Sequence, residues 1–109
     1  MKLEDAAETL AQLGNPTRLE VVRYLVKAGP SGVPVGSIQK QLKIPASTLT
    51  HHLKILAQAG LVRQARQGRS IICAAAARDE LQALSHYLLS ECCADAPSGI
   101  ETRKDRPHV

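Results

Sequence analysis

The chain has 109 residues, enough for one domain and too few for two ordinary ones. Its apolar fraction of 44% includes two Tyr and neither Phe nor Trp, so a core must be built from packed aliphatic side chains. The net charge of +4 is unevenly spread: no acidic residue lies between Glu20 and Asp79, where Arg23, Lys27, Lys40, Lys43, Lys54, Arg63, Arg66, Arg69 and Arg78 stand, which excludes paired catalytic carboxylates from the centre and favours a polyanionic partner.

The first predicted helix, residues 2–13, sets Leu3, Ala6, Ala7, Leu10 and Leu13 on one stripe. Gly14 ends it. Asn15 then caps a second helix with Pro16 in its first turn, running to Ala28 with Leu19, Val22, Leu25 and Val26 as its expected buried face. AGPSGVP reads as the loop that follows. A short third helix, Val35 to Leu42, turns Val35, Ile38 and Leu42 inward, and a fourth runs from near Ala46 to Gln58. Two short helices joined by Lys43-Ile44-Pro45 form a helix-turn-helix layout. Pro45 stands where an N-terminal helix signal belongs, Ser47 or Thr48 is expected to supply a side-chain oxygen to the free N–H groups of the fourth helix, and Gly60 to end it.

From Leu61 the period shortens: LVRQA and SIICA are β-prone runs around RQGR, a Gly-containing turn of hairpin length. A last helix is predicted from Arg78 to Glu91, carried by Leu81, Leu84 and Leu88, with Asp79 and Glu80 in its first turn. Residues 94–109 are polar, with Pro, Gly and alternating charge, and are expected to form a flexible tail. The fold class is therefore mainly α with a two-stranded β-hairpin wing, a winged helix-turn-helix domain over residues 1–93.

On the fourth helix, Leu53 and Leu56 fall within about 40° of Leu49 and anchor it. The opposite face belongs to Ser47, His51 and Lys54, with Thr48 and Thr50 at its borders, and carries no carboxylate. In a major groove, Ser, Thr and His meet base edges while Lys54 meets phosphate or guanine. His52 lies nearer the core side and reads as a packed structural histidine. Lys43 in the turn and Arg63, Arg66 and Arg69 in the wing complete the expected DNA-binding set, and Gly68 lets the wing turn approach the backbone closely.

The N-terminal MKLEDAAETL carries acids where a secretory signal needs a basic start and an apolar run, so a cytoplasmic protein without a membrane partner is expected. Three Cys in such a chain point to reactive or metal-binding thiols rather than a disulfide framework. Neither a phosphate-binding glycine loop nor a nucleophile elbow is present, and no enzyme is expected.

The residues Asn15-Pro16-Thr17-Arg18-Leu19, Ser47-Thr48-Leu49-Thr50-His51-His52-Leu53-Lys54 and Ala59-Gly60-Leu61-Val62 resemble the arsenic-repressor (ArsR/SmtB) family over roughly residues 5–93. The resemblance implies a homodimer through first and last helices, paired recognition helices on a palindromic double-stranded DNA operator, and an inducer that lowers operator affinity. By linkage, that inducer binds the free form more tightly than the DNA-bound one.

The third helix lacks the paired cysteines of the founding arsenic and cadmium repressors. The last helix, with Asp79, His86 and Glu91, lacks the aspartate and paired-histidine pattern of zinc sensors, and the second helix has no Cys to match persulfide sensors. Ser90-Glu91-Cys92-Cys93 is similar to a subgroup of arsenical sensors with adjacent cysteines at the end of the last helix. Trivalent arsenic and antimony are soft and thiophilic. No permanent cofactor is expected, then, but a metalloid inducer held by Cys92 and Cys93, with Cys73 either a third ligand or a small buried hydrophobe. Inorganic arsenite prefers three sulfurs, whereas a methylated trivalent arsenical needs two. His86 and His108 read as surface residues. The alternatives are a thiol-based redox or persulfide-responsive repressor of the same fold, and a constitutive DNA-binding module. A disulfide between adjacent residues is strained, which weighs against the redox form.

Overall fold

Local chemistry sets the first boundaries of the chain. The Asn15 side chain accepts the Arg18 backbone N–H at 3.0 Å and Pro16 occupies the first helical position, so α2 starts where the sequence expects. The computed structural model describes residues 1–97, the side chains of 77 and 78 apart. Among them run α1 (Leu3–Leu13), α2 (Pro16–Ala28), β1 (Val33–Pro34), α3 (Val35–Leu42), α4 (Ala46–Gln58), β2 (Val62–Gln67), β3 (Ser70–Ala75) and α5 (Ala77–Leu89).

The turn between α3 and α4 depends on Lys43, whose φ of 56° closes α3 in the left-handed region. Such a conformation costs a residue with a side chain about 1 kcal/mol. α4 begins without a side-chain cap, contrary to the role expected of Ser47 or Thr48. Pro45 stands at the cap position, and its carbonyl accepts the Leu49 N–H at 2.9 Å. Ser47 and Thr48 therefore fall inside the first turn with both side chains exposed.

The hairpin turns at Gly68, whose φ of +60° is the sign a tight two-residue connection requires. Its antiparallel register runs from Val62↔Ala75 to Gln67↔Ser70. A further strand lies within the stretch read as loop: β1 pairs with β3 through Val33↔Cys73 and Pro34↔Ile72, giving the order β1-β3-β2. Pro34 is tolerated there because β1 is an edge strand.

The core joins Val21, Val22 and Leu25 of α2 to Ile38, to Leu49, Leu53 and Leu56 of α4, and to Leu61, Val62 and Cys73. Two expected core residues of α2 face outward instead: Leu19 is 43% and Val26 47% exposed, and Val21 takes their place. The buried trio spans about 100° of the helix surface, a stripe aimed at α3, α4 and β3. On α1 the expected stripe also turns: Ala6 and Thr9 are buried and Leu13 packs on the core, while Leu3 and Leu10 are exposed. Val35 and Leu42 of α3 are half-buried, with only Ile38 of that helix in the core proper.

α5 stops at Leu89, two residues short of the expected Glu91, and buries Leu84 while leaving Leu88 and Leu89 exposed. The expected tail is seen only over residues 94–97, which are exposed; the rest of it, His108 included, lies outside the described residues. No helix among the described residues is long and apolar enough to cross a membrane.

Candidate nucleic-acid interface and thiol pair

Because three leucines of α4 point into the core, the other side of this helix must face out. Ser47, Thr48, Thr50, His51 and Lys54 are all exposed, as is Lys43 in the preceding turn. Thr50 differs from a free hydroxyl: it donates to the Ala46 carbonyl at 2.9 Å, so its oxygen is left chiefly as an acceptor for base amino groups.

The hairpin stands beside this face. Thr50, Lys54, Gln64, Arg69 and Ser70 line one groove of about 670 Å³ between α4 and the strands, with Leu53 and Ile71 as apolar lining. Gln64 and Arg66 share a smaller groove of about 190 Å³ with Ile71. The residues lining both grooves include no carboxylate. Arg63 is placed differently from the other wing arginines. It lines a groove of about 480 Å³ with Val26, Pro30 and Asp79, because successive strand residues point to opposite faces. The same alternation pairs Gln64 with Arg66 and would have revealed Gln64, which sequence reasoning missed; Ser70 was missed beside Arg69.

His52 is half-buried, as a structural histidine should be. Its Nδ1 lies 3.4 Å from Arg18 Nη1. Desolvation first, then the positive charges of Arg18 and His51, hold its pKa below the ordinary 6.5.

Past α5 the chain turns tightly, the Cys92 N–H reaching the Leu89 carbonyl at 2.9 Å and the Ala94 N–H that of Glu91 at 3.0 Å. Both thiols are exposed and their sulfurs lie 3.4 Å apart. Hydrogen bonding with Cys93, then the charge Cys93 carries once ionised, raises the Cys92 pKa, so this thiol is protonated at neutral pH. Cys73 belongs elsewhere. It is buried in β3, its thiol pushed up by burial against the opposing pull of Gln64 Nε2 at 3.7 Å. Among the described residues no group of three or more His, Cys, Asp or Glu could hold a metal ion, so within the chain Cys73 is not brought to Cys92 and Cys93. Of the two roles the sequence leaves open for Cys73, its burial in β3 fits that of a small core residue. His86 is exposed, as expected.

Comparison with known proteins agrees with this layout. A family model described as a helix-turn-helix domain matches residues 13–65. An uncharacterised HTH-type transcriptional regulator of Methanocaldococcus jannaschii is 40% identical over 67 residues, which cover 62% of this chain and 73% of the relative. The crystal structure of the transcriptional repressor BigR from Xylella fastidiosa is similar with a TM-score of 0.65 and 28% identity, over 83% of this chain and 88% of that one. An ArsR family transcriptional regulator shares the fold with a TM-score of 0.70 at 21% identity, over 90% of this chain and 98% of that one. With its polar α4, its hairpin and this kinship, the chain belongs to the helix-turn-helix transcriptional regulators, which are not enzymes, and has the winged fold of the ArsR/SmtB family.

Proposed function

We propose that the chain is a homodimeric, cytoplasmic repressor that grips a palindromic operator with α4 and the hairpin and releases it when a trivalent arsenic or antimony species bridges Cys92 and Cys93. The observation that carries the DNA half is the exposed, carboxylate-free face of α4 beside Arg69 and Ser70. Dimerisation is supported by the outward leucines of α1 and α5, Leu3, Leu10, Leu88 and Leu89, on two helices that already touch. Residues 1–93 act as the folded unit.

The inducer half is supported by the two exposed sulfurs 3.4 Å apart. A trivalent arsenical that carries one methyl and two hydroxyl groups fits two thiols. Each As–O bond breaks as an As–S bond forms, the thiol protons leave in two waters, and no electron changes hands. With no third ligand assembled among the described residues, this favours a methylated arsenical over arsenite itself.

Two substitutions separate readers from clamps. His51→Ala is expected to lower affinity for operator but not for scrambled duplex, by about 1–3 kcal/mol if its ring meets a base edge. Arg66→Ala is expected to weaken both duplexes alike and to lower the slope of log affinity against log salt by about one. Fluorescence-anisotropy titrations over a salt series measure both, and equal losses on operator and scrambled duplex for the two variants would remove the distinction.

A further inference from the structure

Arg18 of α2 stands between two other helices. Its Nε–H donates to the Gln12 carbonyl of α1 at 2.8 Å, and its Nη1 reaches Nδ1 of His52 in α4 at 3.4 Å. Its own backbone N–H is held by the Asn15 side chain at 3.0 Å. A guanidinium offers only donors, so the nitrogen facing it must carry the lone pair and the ring proton sits on Nε2. Arg18 thereby fixes the tautomer of His52.

The leucines that seat α4 provide adhesion without direction, since apolar contact is insensitive to small rotations. Among the described residues, the Arg18–His52 contact is the side-chain hydrogen bond that ties α4 to another helix. It sits next to His51, on the border between buried and exposed faces. We propose that Arg18 is a positioning residue for DNA recognition: through neutral His52 it sets the rotation of α4 against α2 and the end of α1, and it lets go when His52 takes up a proton. This inference rests on α4 being the helix that reads DNA.

The surroundings of the ring give the direction of the effect. Arg18 acts on it from α2 and His51 from α4 itself, both cationic or able to become so; β2, also packed on α4, brings Arg63 and Arg66, which do not act on it, and no carboxylate does. Among the described residues a protonated His52 has no anionic partner, and both ring nitrogens become donors. Nδ1–H then meets the guanidinium N–H, and attraction turns to repulsion. Folding follows the same sign: between the lowered folded pKa and the ordinary 6.5, the unfolded chain holds a proton that the folded chain does not, so stability falls as pH drops through that window. Charge effects common to every duplex cancel in the ratio of operator to scrambled-duplex affinity, which is therefore the informative quantity.

The test uses the full chain and a duplex recovered by selection from a random library, titrated against its scrambled counterpart. Between about pH 7.5 and about pH 5.5 the wild-type ratio is expected to fall about two- to fivefold. His52→Gln, which can still accept from Arg18 but cannot take up a proton, should hold a nearly constant ratio over that range. Arg18→Lys, a point charge in place of a planar fork, cannot serve Gln12 and His52 together and should lower the ratio about five- to tenfold at the higher pH while scrambled-duplex affinity and helical circular dichroism stay unchanged. A wild-type ratio that does not move with pH, a pH slope that survives in His52→Gln, or an unaltered ratio in Arg18→Lys overturns the inference. If Arg18→Lys fails to fold, the comparison of wild type with His52→Gln decides alone. His51→Ala is the control for the underlying reading: loss of specificity there with none in Arg18→Lys sinks only the positioning role, whereas no loss in His51→Ala removes α4 as the reader.

Discussion

Serine in place of either Cys92 or Cys93 is expected to leave operator affinity intact and to abolish release by a methylated trivalent arsenical. The two thiols act as a chelate. The two sulfurs stand 3.4 Å apart on adjacent exposed residues, so once one As–S bond forms the second thiol attacks from within the same turn. Intramolecular closure of this kind multiplies affinity by about 10²–10⁴ over a single-point attachment, and each serine variant forfeits it. Neither cysteine lies on α4 or the hairpin, hence the unchanged operator affinity. Cys73→Ala is the matching control: that sulfur is buried in β3, and its loss should leave the response to every arsenical unaltered. The measurement is operator release, by fluorescence anisotropy, with methylarsenite, arsenite, antimonite and peroxide added to the reduced protein. Release by arsenicals that survives in both serine variants refutes the site. Release by peroxide alone makes the pair a redox switch, and no release by any reagent makes the chain a constitutive DNA binder.

Gly32→Ala is expected to cost about 3 kcal/mol of stability, the largest loss foreseen for a methyl group added at any of the described glycines. Gly32 has φ +79°, and a Cβ there would stand 2.6 Å from the Cys73 carbonyl oxygen and 2.9 Å from Ile72 Cγ2. The left-handed backbone alone accounts for about 1–2 kcal/mol. The clash adds to it, because the oxygen in the way belongs to β3 backbone held in register by Val33↔Cys73 on one side and Gln64↔Cys73 on the other. In a domain of this size the midpoint of thermal unfolding should drop by more than about 10 °C. Gly36→Ala supplies the contrast, since a Cβ there meets nothing within 4 Å and its φ is ordinary. A methyl inside α3 should be neutral or stabilising by about 0.5–1 kcal/mol. Midpoints for Gly32→Ala and wild type that coincide would show that β1 does not clamp β3 at Gly32.

Much of this architecture could be read before any coordinates. Leu49, Leu53 and Leu56 repeat at helical spacing and do anchor α4; Asn15-Pro16 caps and starts α2; Gly68 turns the hairpin. These signals are local, and local signals survive folding. What failed depended on neighbours. Leu19 and Val26 are apolar but exposed, because periodicity identifies an apolar stripe without saying where the surrounding elements sit. β1 has two residues, one of them Pro34, too few to display a period. Ser47 and Thr48 are good caps in composition, yet Pro45 occupies the position they would need. The candidate site divides in the same way. Adjacency made the Cys92–Cys93 pair legible, and strand alternation contained the separation of Arg63 from Arg66. The contact of Arg18 with His52 joins two helices whose crossing no sequence pattern fixes.

Titration of the purified chain against a selected duplex and its scrambled counterpart, at about 0.15 M salt, tests most directly whether α4 and the hairpin lie together on DNA. The expected result is enrichment of one sequence from the random library, a preference of at least about 10³ for it, and loss of most of that preference when Lys54 and Arg69 are both replaced by Ala. Failure to enrich any sequence, or equal binding of the two duplexes with the double variant indistinguishable from wild type, would contradict it.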